Sequence, residues 1–154
     1  MKKEIVGMAS APLEHDERWI DLEFGARVRL TSEDPGFPIE SALLDGSGDP
    51  GWKAADAGEQ SIWLDFEPAR TIERIYLCFE APETRTQEFV LSCILEGGVQ
   101  RELVRQQFNF SSSSAREEET YQVGLAGVRQ LKLTITPDIS RGSARATLRR
   151  FGLQ

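Results

Sequence analysis

The chain has 154 residues, of which 40% are hydrophobic and 28% charged, the usual composition of one globular domain. Its net charge of −7 disfavours nonspecific binding to nucleic acid or to an anionic membrane surface. From this charge we expect no nucleic-acid partner. No apolar run is long enough to span a bilayer, so we also expect no membrane insertion. Cys78 and Cys93 are the only cysteines, too few for a disulfide scaffold or a zinc site. Both lie in apolar runs, which predicts buried reduced thiols in a cytoplasmic protein.

Residues 1–25 are predicted to form an extension that contains one or two strands. The opening MKKEIVGMASAP imitates a signal peptide, with two lysines, a short apolar run and small residues. However, Glu4 interrupts the run, which at about seven residues is at the lower limit for such a region. We therefore interpret this stretch as a first strand, and residues 18–24 as another.

From residue 26 onward, apolar and polar residues alternate with a period of two in runs that are separated by turn residues, which predicts strands. These runs are 26–32, 61–66, 71–79, 88–95, 101–108, 119–125, 129–136 and 145–153. Only residues 38–44 could supply a helical turn. So many strands with almost no helix predict an all-β protein, an antiparallel β-sandwich or jelly roll. We expect residues 1–154 to form one domain, with the sandwich over 26–154.

The stretch DGSGDPGW (45–52) fits the G-x-G-x-x-G pattern of dinucleotide-binding loops through Gly46, Gly48 and Gly51. Such a loop needs a long helix after it, whose amino end holds the pyrophosphate. The next predicted strand begins at Ser61, which leaves room for barely two helical turns. The glycines are therefore predicted to form turns, and no nucleotide cofactor is expected.

The same stretch begins an ordered set of motifs, SALLDGSGDPGWKA, SIWLDFEPARTIERIYLCF, EFVLSCILEGG and RQLKLTITPD with ATLRRFGL. In this order they resemble the discoidin, or coagulation-factor type C, family of galactose-binding-like jelly rolls. The resemblance covers roughly residues 27–153. It implies an eight-stranded sandwich that binds sugars, lipid head groups or proteins through loops at one end. Catalysis is not typical of such a module alone.

One departure from the family concerns metal binding. Many sugar-binding members hold a structural calcium with the D-G loop and a glutamate near the last strand, where this chain has Arg150. Calcium prefers six to eight oxygen ligands, and a guanidinium would repel it. Our hypothesis is that Arg150 pairs with Asp45 or Asp49 and closes the loop without metal; the alternative is that Arg150 is simply solvated. We predict no calcium and no other cofactor.

Strand parity sorts the loops, because successive connections of an antiparallel fold alternate between its two ends. The connections that are long and polar then fall together at one end, and long loops on a rigid scaffold usually carry function. They are 54–60, 81–87, 109–118 and 137–144, with 31–38 as a further candidate.

A sugar site needs planar hydrogen-bonding groups for hydroxyls and an apolar face for the C–H side of the ring. Those rim loops supply the predicted ligand-binding residues, which are Arg85, Asn109, Phe110, Asp138 and Arg141, with Arg116 and Phe37 in addition. Each has a structural alternative: Arg85 could pair with Glu83 or Glu88, Asn109 could only start a turn, and Phe110 could be core. Trp52 and Trp63 are interpreted as core residues.

These observations predict a non-catalytic module that binds a carbohydrate or glycoconjugate weakly. An enzyme is disfavoured because the chain has a single histidine, His15, and none of the common nucleophile, metalloprotease or P-loop motifs. The alternative is a protein–protein interaction module that uses the same loops, with REEET (116–120) and the basic segment 129–154 as recognition surfaces. Those charges could equally be solvated faces or internal ion pairs.

Overall fold

The computed structural model describes residues 19–44 and 49–154. Its elements are β1 (Ala26–Leu30), α1 (Glu40–Leu43), β2 (Trp52–Ala57), β3 (Gln60–Glu80), β4 (Arg85–Leu95), a 3-10 turn (Glu96–Gly98), β5 (Gln100–Phe110), β6 (Arg116–Thr136), β7 (Arg145–Leu148) and β8 (Arg150–Leu153). All strand pairs among these elements are antiparallel. The prediction of an all-β antiparallel sandwich is confirmed. The strand predicted at the start of the chain, and Asp45, Gly46 and Gly48, lie outside the described residues.

Two strands of 21 residues each, β3 and β6, run through both layers of the sandwich. The first half of β3 pairs on one side with β1 and on the other with the second half of β6. The second half of β6 also pairs with β4, and β4 pairs with β5. The second half of β3 pairs with the first half of β6 and with β8. One layer is thus built on β1, β3, β6, β4 and β5, and the other on β6, β3 and β8.

The core lies between these layers because alternate residues of each strand point inward. The inward residues of β3, β4 and β6 include Leu64, Leu77, Leu91 and Leu133, none of which is more than 1% exposed. Trp52 on β2 is 1% exposed, and its indole N–H donates to the carbonyl of Ser32 at 3.2 Å. The prediction that Trp52 belongs to the core is therefore confirmed.

Three strand boundaries differ from the sequence prediction. Residues 61–66 and 71–79 were expected to be separate strands, as were 119–125 and 129–136, but each pair is continuous in β3 or β6. The turn residues between the two predicted strands stay within the continuous strand. The pairing of β3 with β6 shifts register there, between Asp65 and Arg74. In contrast, the run 145–153 is divided into β7 and β8 at Arg149.

Two further predictions were wrong. Residues 54–57 were expected to be loop but belong to β2, because Trp52 and Lys53 pair with Leu148 and Thr147 of β7. Residues 19–24 form bends instead of a strand, and their backbone bonds to the sandwich include Ile20 N to Leu153 O at 2.8 Å. The helical turn predicted over 38–44 is present as α1.

Trp63 corrects a third expectation, because it is only partly buried and alternates with the inward residues Ile62 and Leu64. It therefore lies on the outer face of the layer that contains β1. Cys78 and Cys93 are buried free thiols, as predicted, and burial raises the pKa of Cys78 to about 11. Within residues 19–44 and 49–154, no helix has the length and apolar character needed to cross a membrane.

Candidate ligand-binding site

The predicted rim loops meet at one end of the sandwich. Loop 137–144 touches two of them, through Ile139 N to Thr86 O at 2.9 Å and Gly58 N to Ala144 O at 3.2 Å. The turn after Phe110 joins the rim through Ala81 N to Ala115 O at 2.9 Å. The segment 31–38 is tied in by an ion pair between Asp34 and Arg145 at 3.2 Å. The parity argument therefore identified the correct set of neighbouring loops.

Arg85 anchors these loops from inside. Its side chain is 1% exposed, with Nε on Glu83 at 3.1 Å and Nη1 donating to the carbonyl of Pro137. The guanidinium carbon lies 5.0 Å from the centroid of the Phe110 ring. Pairing with Glu83 is the structural alternative given for this residue. In this arrangement Arg85 holds the loops together, and direct contact with a ligand is not available to it.

Phe110 is 1% exposed, and its ring packs edge-on against Phe108 with centroids 4.9 Å apart. A covered ring cannot stack on a sugar, so the prediction that Phe110 is a surface platform is wrong. The physical reason is that β5 continues to Phe110, which pairs with Arg85 of β4 and turns its side chain inward.

Asn109, Asp138 and Arg141 are at the surface of the rim. The side-chain oxygen of Asn109 accepts from the Thr86 hydroxyl at 2.6 Å. Asp138 accepts from the hydroxyl of Ser140 at 2.6 Å and from its N–H at 3.0 Å, and these bonds hold the pKa of the Asp138 carboxyl below its usual range. Arg141 is exposed and follows Asp138 in a tight turn with φ of 64°. Their roles as ligand contacts remain predictions.

A cleft of about 440 Å³ lies beside the rim, and two of the residues singled out by sequence, Phe37 and Arg116, line it. Pro50 and Pro82 add apolar wall, and the Lys53 ammonium lies 5.8 Å from the Phe37 ring centroid. This volume is in the range of small-ligand sites.

Glu80 is the centre of the polar side of this rim cleft. Its carboxylate pairs with Arg116 at 3.1 Å and with Arg149 at 3.9 Å. Arg116 in turn also pairs with Glu118 at 3.0 Å. Sequence reasoning missed Glu80, Lys53 and Arg149, because all three lie within or beside strands and the search was confined to loops.

Arg150 binds the chain directly before the 45–51 stretch. Its Nη1 donates to the backbone carbonyl of Leu44, and no ion pair joins it to Asp49. The Asp49 part of the hypothesis is therefore wrong, and the Asp45 part lies outside the described residues. The carbonyl that directly precedes this loop is thus bound by a guanidinium.

The fold is similar to that of several solved carbohydrate-binding modules of family 32. The family 32 module of NanJ from Clostridium perfringens, solved in complex with galactose, matches with a TM-score of 0.63 and 18% identity, over 88% of this chain and 96% of that one. CBM32-3 from a family 31 glycoside hydrolase of the same organism matches with a TM-score of 0.62 and 15% identity, over 88% and 93%. The family 32 module of AlyQ, solved with 4,5-unsaturated mannuronic acid, gives a TM-score of 0.59 and 19% identity, over 83% and 93%.

At the level of sequence, neither a family model nor a curated protein matches the chain. At identities below 20%, these structures show the fold, an antiparallel jelly-roll sandwich, and do not transfer a ligand. The site of this chain has to be judged on its own residues.

Proposed function

We propose that this protein is a non-catalytic carbohydrate-binding module that holds a sugar in the rim cleft. The observation that carries the proposal is the combination of the Phe37 ring with a carboxylate, Glu80, that is fixed between two guanidinium groups. The neighbouring structures support it, because the module of NanJ is described with galactose and that of AlyQ with an unsaturated mannuronic acid.

The roles of the residues follow from the chemistry of a pyranose. The C–H face of the ring would lie against Phe37, and vicinal hydroxyls would donate to Glu80 and accept from Arg116. Because Arg116 is already paired with Glu80 and Glu118, its guanidinium is oriented before the ligand arrives. A few hydrogen bonds and one stacked face in an open cleft correspond to millimolar affinity, about −4 kcal/mol.

The test is a glycan-array screen of the labelled protein, followed by NMR titration of the sugars that bind. Phe37→Ala and Arg116→Gln should each weaken binding at least tenfold, and EDTA should change nothing. Arg141→Gln is the matched control, because it removes one positive charge from the rim outside the cleft.

Two outcomes would contradict the proposal. Unchanged binding in both cleft variants, with loss in Arg141→Gln, would move the site to the outer rim. Absence of any sugar binding at millimolar ligand would remove the carbohydrate function itself.

A protein–protein interaction module is the second candidate, favoured by one observation. Ile139 is 46% exposed in loop 137–144, next to Asp138 and two residues before Arg141 in the sequence. An exposed aliphatic side chain among charges suits a polypeptide partner better than a sugar. Pull-down from cell extract should then recover a stoichiometric partner that is lost with Ile139→Ser and retained with Phe37→Ala.

A further inference from the structure

The outer face of the layer that contains β1 carries two aligned rows of side chains, most of them polar or charged. Arg27 of β1, Asp65 of β3, Gln130 of β6 and Ile94 of β4 face one another in register. The adjacent row consists of Arg29, Trp63, Lys132 and Ser92. All of them alternate with inward core residues, so they project to the same outer surface.

A second cleft, of about 520 Å³, lies over the first row. Arg27, Asp65, Glu67, Ile94 and Arg129 line it. It lies at the end of the sandwich opposite the rim, because Ile94 is at the far end of β4 from Arg85. This sheet-face cleft shares no lining residue with the rim cleft.

The cleft itself is lined by two cations, Arg27 and Arg129, and two carboxylates, Asp65 and Glu67. Arg29 and Lys132 of the adjacent row give this part of the face two more cations than carboxylates, although the whole chain has a net charge of −7. The Asp65 carboxylate is committed, since it accepts from Arg29 at 2.7 and 3.2 Å and from Gln130 at 2.7 Å. Within the part of the chain that the structure describes, Arg27 and Arg129 are exposed and make no ion pair.

Trp63 holds the second row in place. The Arg29 guanidinium carbon is 5.2 Å from the indole centroid, and the Lys132 ammonium is 5.3 Å from it. Both are cation–π distances. Cations packed on a ring lose less side-chain entropy when they bind a ligand than freely rotating ones do.

We propose that this face is a second binding site, independent of the rim cleft, for an anionic oligosaccharide. Arg27 and the β6 cations Arg129 and Lys132 are two strands apart, about 10 Å across the sheet. They can therefore contact acidic groups on successive parts of one extended glycan. Carboxylate or sulfate groups would bind Arg27 and Arg129 by charge-assisted hydrogen bonds.

The size of the site favours a glycan over nucleic acid. Backbone recognition of DNA typically uses about 6–10 phosphate contacts, and this face offers four cations, one of them committed to Asp65. Its volume is instead within the 300–1,000 Å³ range typical of small-ligand sites.

The test is calorimetric titration with tetragalacturonate, with a sulfated κ-carrageenan tetrasaccharide, and with neutral galactotetraose. At least one acidic probe should bind tenfold or more tightly than the neutral one, and the two acidic arms separate carboxylate from sulfate. Arg27→Gln with Arg129→Gln should weaken that binding at least tenfold. The matched control is Arg74→Gln with Arg101→Gln, which removes the same charge elsewhere and should change affinity less than twofold.

Three results would overturn the proposal. They are equal binding of acidic and neutral probes, equal loss in both double variants, and loss of the acidic ligand only in Phe37→Ala or Arg116→Gln. The last result would assign the acidic glycan to the rim cleft and leave the proposed function standing. Arg27, Arg129 and Arg101 are exposed and Arg74 is partly buried, so an unchanged melting temperature is required of each double variant to show that it is folded.

Discussion

Glu117 is a buried carboxyl group, 3% exposed on β6. Its oxygens accept from the side-chain amides of Gln106 at 2.6 Å and Gln87 at 3.4 Å. Burial raises the pKa of this carboxyl above its ordinary value of 4.5, and the two hydrogen bonds only partly oppose the effect. The carbonyl oxygen of Gln87 is itself buried without a hydrogen-bond partner among the described residues. An uncharged donor in place of the carboxylate could satisfy it after rotation of the Gln87 amide.

The first prediction is that Glu117→Gln stabilises the fold at neutral pH by about 1 kcal/mol. A folded-state pKa above 4.5 means that the contribution of Glu117 is fully present below pH 4.5 and is lost as pH rises through the folded value. The advantage of the variant should therefore disappear near pH 4. Urea unfolding at pH 4 and pH 7 measures it, with Glu59→Gln, at an exposed position outside this network, as control. A destabilised variant at pH 7 would contradict this view of the network.

Single residues show where sequence reasoning stops. Trp52 and Trp63 both lie in apolar contexts, and only the pairing of strands shows that one is core and the other is on an outer face. Arg85 was predicted to contact a ligand, but its side chain is buried against Pro137 and Phe110, which are distant in the chain. Such long-range partners leave no local signal.

Among the elements, the entry to β2 depends on Gly51. Its φ is +83°, and its N–H donates to the Ser41 hydroxyl at 3.0 Å. A Cβ atom there would be 2.6 Å from the carbonyl oxygen of Leu148 and 2.8 Å from Cα of Arg149. Both are backbone atoms, which cannot move aside without disturbing β7 and β8. The glycine that completed the apparent nucleotide motif is thus required by close packing.

The second prediction is that Gly51→Ala lowers the free energy of unfolding by more than about 2 kcal/mol, combining a left-handed backbone with a backbone clash. Gly97 supplies the matched control, because its φ of +85° is similar while nothing lies within 4 Å of its Cβ position. Gly97→Ala should therefore cost only the backbone term, about 1–2 kcal/mol. Chemical denaturation of the two variants measures the difference. Equal losses would show that the close approach at Gly51 carries no cost.

For the secondary-structure elements, the alternation of apolar and polar residues predicted where most strands lie but not where they end. Pro68 and Gly127 indicate turns on local rules, yet β3 and β6 pass through them because pairing on both sides maintains the ladder. The reverse happened at β2, where small and charged residues gave a weak strand signal and pairing with β7 supplied the order.

For the whole molecule, the fold class could be predicted from the sequence because the alternation of apolar and polar residues and the family resemblance agreed. The binding surfaces could be predicted only in part. Loop parity placed the rim, but the rim cleft is completed by Glu80 and Arg149 from strands and strand connections. The basic residues of segment 129–154 lie in different environments. Arg145 and Arg149 pair with acids of the same chain, whereas Arg129 and Lys132 lie on the sheet face.

The third prediction is that the molecule does not depend on calcium. Arg150 already binds the Leu44 carbonyl, so millimolar calcium should shift the melting temperature by less than about 1 °C, since a ligand stabilises only in proportion to its binding. Thermal melts with calcium, with magnesium and with EDTA measure this. A rise of several degrees specific to calcium would show that the loop forms a metal site despite the guanidinium.

The two long strands also determine how this chain must fold. Gln60 pairs with Ile135, and Glu80 pairs with Arg116, so the central ladder joins residues that are between 36 and 75 positions apart. Closing such large loops costs entropy before the contacts repay it, and proteins dominated by distant pairings fold in milliseconds to seconds. A fragment contains both of these strands in full only if it runs from the start of β3 to the end of β6. We therefore expect the chain to fold in one step, only after the whole span from β3 through β6 is present. Until β6 has paired with β3, the edges of β3 should be exposed.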